Sequence, residues 1–301
     1  MSKVRIEVAR LRDWQRALPR FPLRAALMLH SDCAWRGRSP VSPIPESPHA
    51  DFARQVAVLL RDRPDDSAFA RRWYLAMTLK AQAGDFWGDA RRWVRDGLSS
   101  FPRDPELLLA EGSLEETLVT AQIVPPPADD GALGDGETRR GPDLAEPKRQ
   151  LGEVEKMLAA ALAADPDLEE ARLRLGRVWW RLEKTEAAAT ALDGVLTQSQ
   201  DPRLLYLANL FRGRIDLDAG RLGPAVSCYR AAVALVPDGQ AARVALSHAL
   251  HREGDGRASR RAMEDALEVP RTQPDPFWRY PWGQADRAED LLETLRTESR
   301  P

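Results

Sequence analysis

Histidine and cysteine are the side chains here best suited to metal binding or nucleophilic catalysis, and the 301-residue chain has only four histidines and two cysteines. His248 and His251 stand three positions apart, so on a helix both imidazoles share one face and can share a metal ion. No third ligand is evident near them. His30 and Cys33 have the same spacing, and we expect that pair in a helix core or on a surface. The sequence therefore predicts no metal site.

Motifs for catalysis and cofactor binding are equally scarce. Cys33 and Cys228 lack the paired spacing of a disulfide framework or a cysteine zinc site. The acidic stretch 129–137 lacks the ligand spacing of a calcium loop. No G-x-S-x-G motif, P-loop or dinucleotide fingerprint occurs. We expect a chain that is not an enzyme and holds no cofactor.

Composition favours an all-helical chain and gives no sign of a nucleic-acid partner. Hydrophobic residues make up 43% and are mainly alanine and leucine, which are good helix formers. The formal net charge of −2 gives no basic field to attract nucleic acid. The first 21 residues lack the apolar core of a signal peptide, and the apolar run 25–29 is too short to span a bilayer. These features predict no membrane span and a cytoplasmic location.

A repeat of 34 residues is the strongest pattern in the chain. It is set by residues 201–237, which predict two helices joined by a tight turn. Small and aromatic residues mark fixed points of this unit, namely Gly213, Gly220, Ala225, Tyr229, Ala232 and Pro237. The next copy has Ser247, Gly254, Ser259, Met263 and Ala266 at the same points, with Pro270 one residue early. A two-helix repeat of this length indicates a solenoid.

The chain resembles the tetratricopeptide repeat (TPR) family. The best match is 169–202, where Leu175-Gly176 with Trp179 fits the family's L-G-x2-aromatic core and Ala188 fits the second helix. The resemblance covers about 170–270 specifically and 67–166 more weakly. It implies a right-handed α-solenoid of two-helix repeats with a C-terminal capping helix, and a protein- or peptide-binding role.

Three regions follow from this repeat pattern. Residues 1–66 are predicted to be N-terminal helices forming a degenerate repeat with a proline-rich loop at 37–49. Residues 67–270 are the array, with a flexible insertion at 124–147. Residues 271–301 are an aromatic segment, FWRYPWG, followed by a capping helix over 284–296. We expect the aromatic segment to pack over the last repeat, because a solenoid needs a terminal unit.

The resemblance also implies a ligand groove lined by the first helix of each repeat. Carried over by position, the groove includes Leu173, Leu210 and Val244, and the predicted partner-binding residues are Arg177, Trp180, Arg181, Arg214, Asp218, His248, His251 and Arg252. Arg177, Arg214 and His248 occupy equivalent positions and can hold the carboxylates of an acidic segment; the alternative is solvated charges on an exposed face. The pattern differs from the asparagine-and-lysine clamp that holds chaperone C-termini.

One repeat departs from the family pattern. Asn209, Arg212 and Asp216 fall where the family buries apolar side chains. Burial of unpaired charges would cost several kcal/mol. Either Arg212 and Asp216 pair with each other, or the helix is rotated relative to the family, and the sequence leaves both possibilities open.

The function predicted from the sequence is a non-catalytic scaffold that binds a protein or peptide. Two alternatives remain. One is a structural subunit that assembles through its C-terminal cap or convex face. The other is an enzyme with a site around His30, Cys33 and His49, for which a reactive thiol at Cys33 would be the sign. The oligomeric state is not predicted.

Overall fold

A computed structural model describes residues 23–36, 48–121, 145–269 and 274–299. All regular structure in these ranges is helical, which confirms the all-α prediction. The helices are α1 (Leu23–Arg36), α2 (Pro48–Asp62), α3 (Ser67–Ala83), α4 (Trp87–Ser100), α5 (Pro105–Thr120), α6 (Ala145–Ala164), α7 (Glu169–Arg181), α8 (Thr185–Gln198), α9 (Pro202–Asp218), α10 (Leu222–Leu235), α11 (Gln240–Glu253), α12 (Gly256–Glu268), α13 (Pro276–Arg279) and α14 (Ala288–Ser299). Within these ranges, no helix is both long and apolar enough to cross a membrane.

Three sequence predictions fall largely outside the described residues: the start of the N-terminal helices, in residues 1–22, the loop at 37–49 and the insertion at 124–147. The insertion is also shorter than predicted at its end. Helix α6 begins at Ala145, inside the range predicted for the insertion, with Pro147 in its first turn. Proline is tolerated there because the first N–H groups of a helix have no partner within it.

The chain forms two compact units, and the division falls inside α5, between Leu114 and Glu115. Among the described residues, the first unit holds 23–36, 48–114 and 284–299. The second holds 115–121, 145–269 and 274–283. The predicted domain boundaries came from the repeat pattern and remain predictions.

In the first unit, the α3/α4 hairpin is built around an aromatic core. Trp73 and Trp93 are buried and meet edge to face, with ring centroids 5.2 Å apart. The Trp73 indole N–H donates to the Leu27 carbonyl of α1 at 3.0 Å. His30 is buried beside both tryptophan rings, at centroid distances of 5.8 and 5.6 Å. His30 is thus a core residue, one of the two placements expected for it.

The C-terminal helix α14 belongs to the first unit, where it packs against α3 and α1. Its apolar face includes the buried Leu292 and Leu295. Arg72 of α3 donates two bonds to the Glu298 carboxylate, at 2.7 and 2.5 Å. This helix was predicted as a C-terminal capping helix, and within the first unit it packs against α3, with which the predicted array begins.

The second unit consists of three hairpins, α7/α8, α9/α10 and α11/α12, with α6 packed against α7. Glycine at the repeat's small-residue position allows the two helices of a hairpin to approach closely. A Cβ added at Gly213 would come within 2.7 Å of the Tyr229 ring, and one at Gly176 within 3.0 Å of Leu192. The third hairpin has Ser247 there, whose hydroxyl donates to the Ser259 carbonyl at 2.8 Å. The repeat pattern therefore reflects helix packing.

The hairpin turns use left-handed backbone at one common position. Gly220 and Gly254 have positive φ there, and so do the non-glycine residues Asp85 and Glu183. Glycine adopts this conformation without steric cost, which explains why it marks the repeat. Asp201 caps the start of α9, where its side chain accepts from the Arg203 N–H at 2.8 Å.

Arg212 and Asp216 form an ion pair, one of the two alternatives left open by the sequence. Asp216 is buried and also accepts from the Arg221 Nε at 2.8 Å. Arg212 in turn donates from Nε to the Asp193 Oδ1 at 2.8 Å. The buried carboxylate is therefore compensated by two arginines, which removes the penalty of an unpaired charge.

Candidate functional site

The aromatic segment and the two residues before it, residues 275–283, lie against the first helices of the second unit's hairpins. Asp275 fixes its start. One carboxylate oxygen of Asp275 accepts from the Tyr206 hydroxyl at 2.8 Å, and the other accepts from the Ala241 N–H at 2.7 Å. The same side chain caps α13 by accepting from the Phe277 N–H at 2.8 Å. A single buried aspartate thereby ties the segment to both α9 and α11.

Aromatic contacts continue along α9. Phe277 and Tyr280 both meet Phe211 edge to face, with centroid distances of 6.5 and 5.3 Å. Such pairs add about 0.5–1.5 kcal/mol beyond the area they bury. Trp278, in contrast, is exposed. The rings of the segment therefore pack mainly on α9 of the second hairpin, and the segment reaches the last repeat, over which it was expected to lie, through the bond between Asp275 and Ala241.

Tyr280 ends in a buried group of charges that we call the Glu116 network: Glu116, Glu170, Arg174, Arg177 and Tyr280. The Tyr280 hydroxyl lies 2.8 and 2.9 Å from the two Glu116 carboxylate oxygens. Arg174 donates to Glu116 at 2.8 Å, and Arg177 donates to its other oxygen at 2.5 Å. Both oxygens of Glu116 are therefore fully engaged.

Arg174 is the centre of this network and is fully buried. Besides Glu116, it donates to Glu170 at 3.1 Å and to the Tyr280 carbonyl at 2.9 Å. Its guanidinium carbon also lies 4.3 Å from the centroid of the Tyr280 ring. Three parts of the chain, α5, α7 and the aromatic segment, meet at this one side chain.

The electrostatics of the network favour fully ionised arginines. Burial acts to lower the pKa of Arg174, but Tyr280, Glu170 and Glu116 more than offset it, so this pKa is raised. Arg177 is affected in the same direction by Tyr280 and Glu116. Burial raises the pKa of Tyr280, which stays a neutral O–H donor. Arg174 and Arg177 face Glu116 and Glu170, and Glu170 also accepts from Arg203 at 2.7 Å, so the network holds the aromatic segment in place without leaving an acceptor for a ligand.

Three of the predicted groove residues come together at the C-terminal ends of α7 and α9. The Trp180 indole N–H donates to Asp218 at 3.2 Å. Arg214 pairs with Asp218 at 2.9 Å, and its guanidinium carbon lies 5.8 Å from the Trp180 ring centroid. An exposed ion pair therefore sits beside a partly exposed aromatic face.

Arg181 differs from the other groove arginines because it forms no ion pair or side-chain hydrogen bond with any residue in the described part of the chain. It is exposed and lies one helical turn after Arg177. Partial burial and the positive charge of Arg177 lower the pKa of Arg181. An anion beside Arg181 would relieve this repulsion.

The other groove residues have separate surroundings. Arg177 is engaged by Glu116, so the predicted row of Arg177, Arg214 and His248 is not a row of free cations. Arg252 donates to the Leu217 carbonyl at 3.0 Å, which joins α11 to the end of α9. His248 and His251 are exposed. No group of three or more His, Cys, Asp or Glu in the described ranges is arranged to hold a metal.

Comparison with known proteins identifies the fold. No family model and no curated protein matches the sequence. Among solved structures, pilF of Pseudomonas aeruginosa is 12% identical, with a TM-score of 0.53 over 77% of this chain and 91% of that one. A MamA structure is 16% identical over 68% of this chain and 92% of that one, with a TM-score of 0.47. MamA 41-end from Desulfovibrio magneticus RS-1 is 16% identical over 68% and 97%, with a TM-score of 0.48.

The chain has a TPR-like helical-repeat fold. Identity this low carries the fold and nothing further about function. Within the TPR-like hairpins, the sequence correctly located the close helix contacts at Gly176 and Gly213.

Sequence reasoning missed Glu116, Arg174, Tyr280 and Asp275. Arg174 had a detectable signal, since it stands in the buried stripe of α7 with Ala171, Leu175 and Val178. An arginine in such a stripe requires a carboxylate partner. The side chains of Cys33 and His49, on which the enzyme alternative depends, lie outside the described residues.

Proposed function

We propose that this TPR-like chain is a non-catalytic protein-interaction scaffold that binds an acidic peptide segment. The proposed contact surface, called the Arg181 surface, consists of Trp180, Arg181, Arg214 and Asp218. His248, His251 and Arg252 flank it on the neighbouring helix. A scaffold role is supported by the TPR-like fold of the similar structures.

The acidic character of the ligand is inferred from the surroundings of Arg181. It is the groove arginine that keeps its guanidinium N–H groups available, and its charge is opposed by that of Arg177. A guanidinium binds a carboxylate through two parallel hydrogen bonds, which are about twice as strong as neutral ones. A carboxylate at Arg181 would add these bonds and relieve the repulsion.

Trp180 and Arg214 supply the rest of the surface. Trp180 offers a flat apolar face beside the cation, which suits an aromatic or aliphatic side chain next to the acidic residue. Asp218 holds Arg214 near this face and rejects an acidic group that approaches from its own side. The ligand we infer is a peptide with one or two carboxylates next to a large apolar residue.

The experiment measures binding of fluorescent peptides to the full chain by anisotropy. The test peptide carries two glutamates beside a tryptophan, and the control peptide has glutamines in place of the glutamates. Arg181→Glu is expected to weaken binding of the acidic peptide about tenfold or more, the equivalent of about 1.4 kcal/mol.

Arg230→Glu is the matched control, since Arg230 is an exposed arginine of the same unit with no described partner and lies on α10, outside the surface. It makes the same change in net charge and is expected to leave binding unchanged. Equal losses in both variants would show only a net-charge effect. No difference between acidic and amide peptides would overturn the proposal.

A further inference from the structure

The last hairpin of the second unit, α11/α12, presents a face that is covered in the two preceding hairpins. At three repeat positions the residue is buried or half-buried in the first two hairpins and exposed in the last. In chain order these sets are Leu173, Leu210 and Val244; Leu192, Tyr229 and Met263; and Leu196, Val233 and Leu267. The last members are 41%, 37% and 75% exposed. The difference has a simple origin.

In the preceding hairpins the next hairpin provides the cover. Helix α8 packs against α9, and α10 packs against α11. Helix α12 packs against α11, and no further hairpin of this unit follows it in the described chain. The open face therefore keeps the apolar side chains of a hairpin-to-hairpin contact, although nothing in this unit occupies it. A solenoid end normally has a polar outer face, so exposed apolar residues here indicate a docking surface.

The charges of α12 indicate what docks there. Its N-terminal half carries arginines, and its C-terminal half carries acidic residues. In chain order these are Arg257, Arg260, Arg261, Glu264, Asp265 and Glu268. Asp265 lies 3.8 Å from Arg243, while the other five form no ion pair or side-chain hydrogen bond with a described residue. A helix with opposite charges in its two halves is complementary to an antiparallel copy of itself.

We propose that two copies of this chain associate through α12, antiparallel about a two-fold axis. Met263 of both copies forms the apolar centre beside the axis, and Leu267 and Val244 lie at its edge. Arg260 of each copy faces Glu264 of the other. Such an interface is isologous, so that each charge pair occurs twice and the assembly closes as a dimer. The proposal does not depend on the Arg181 surface.

The apolar part is tested by sedimentation of the full chain from low micromolar to several hundred micromolar concentration. The expected result is a concentration-dependent monomer–dimer equilibrium. Met263→Glu is expected to raise the dimer dissociation constant at least about a hundredfold, because the two new carboxylates would be buried close to each other at the axis. The matched control is Val58→Glu, which places the same charge on an exposed apolar residue of α2 and leaves the equilibrium unchanged.

The charge part is tested by a swap. Arg260→Glu alone and Glu264→Arg alone each place like charges opposite one another, so both variants are expected to be monomers. An equimolar mixture of the two restores both pairs and is expected to recover the dimer. Helicity of each variant confirms that loss of the dimer is not loss of folding.

Three outcomes would overturn the proposal. One is a monomer at every concentration. Another is a dimer that survives Met263→Glu, which would place the interface elsewhere. The third is failure of the mixture to associate, which would exclude the antiparallel pairing and leave a helix of another protein as the occupant of this face.

Discussion

Replacing Glu116 by alanine tests the central feature of the second unit. The carboxylate of Glu116 is buried and bonded to Arg174, Arg177 and the Tyr280 hydroxyl. Its removal leaves Arg174 and Arg177 with Glu170 as the one remaining carboxylate of the network, and Glu170 also pairs with Arg203. Breaking a buried ion pair by removing one partner costs about 3–5 kcal/mol. Arg177 is partly exposed and can turn toward water, so we expect the lower part of that range, about 3 kcal/mol.

Urea unfolding monitored by circular dichroism measures this loss of unfolding free energy directly. Thermal unfolding provides a second measurement: at about 2–4 °C per kcal/mol for a unit of this size, the melting temperature of the second unit should fall by about 10 °C. The matched control is Glu186→Ala, which removes an exposed glutamate from the first turn of α8. The control is expected to change stability by no more than about 0.5 kcal/mol.

Hydrogen exchange measured by mass spectrometry locates the effect. Because Glu116 holds Tyr280, amides of the aromatic segment should lose protection in Glu116→Ala before those of α9 and α10. The reasoning would be refuted by a loss below about 1 kcal/mol together with unchanged protection of residues 275–282. That result would mean that the segment is held by Asp275 and Phe277 alone.

Two further predictions concern pH and packing. Burial raises the pKa of Asp96 to about 6 from 3.8, and its Oδ2 has no hydrogen-bond partner. Between these two pH values the folded state binds more protons than the unfolded state, so the stability of the first unit should fall as pH rises from 3.8 to about 6 and stay reduced above that. Asp96→Asn should therefore stabilise the first unit by about 1–2 kcal/mol at neutral pH, after allowance for partial exposure, and by little at pH below 3.8. Equal effects at both pH values would refute the raised pKa of Asp96. Gly213→Ala should destabilise by about 1–3 kcal/mol because the new methyl meets the Tyr229 ring. At Gly152 an added Cβ would meet nothing within 4 Å outside its own helix backbone, so Gly152→Ala should stabilise by about 0.5–1 kcal/mol in the same unfolding assay.

The contacts within each two-helix repeat could be predicted from the sequence. Gly213 and Tyr229 stand sixteen positions apart in a pattern that recurs after 34 residues, and they meet ring against backbone in the folded hairpin. Such contacts depend on residues within one hairpin, so composition and spacing determine them. The turn at Gly220 and the cap at Asp201 were predictable for the same reason.

Contacts between distant parts of the chain could not be predicted from the sequence in this way. Tyr280 binds Glu116 across 164 positions, and α14 packs against α3 across more than 200. An aromatic cluster such as FWRYPWG shows that it will be buried somewhere, because several of its rings are too large and apolar to remain exposed. Its composition does not specify which of several similar hairpins it packs on. Repeats offer near-equivalent surfaces, so this choice depends on the few side chains that distinguish one repeat from another.

The side chains that distinguish one repeat from another are charged residues at core positions. Glu116, Arg174 and Asp216 each stand in the buried stripe of a helix, where a lone charge would be strongly destabilising. Asp216 finds its arginines locally, on α9 and the following turn. Arg174 has one local partner, Glu170, on its own helix. Glu116 of α5 pairs with Arg174 and with Arg177, so both arginines depend on a carboxylate from a distant part of the chain. A wrong alignment of α5, α7 and the aromatic segment would leave these charges unpaired. The Glu116 network therefore specifies which hairpin receives the aromatic segment, and the variants of Glu116 measure how strongly.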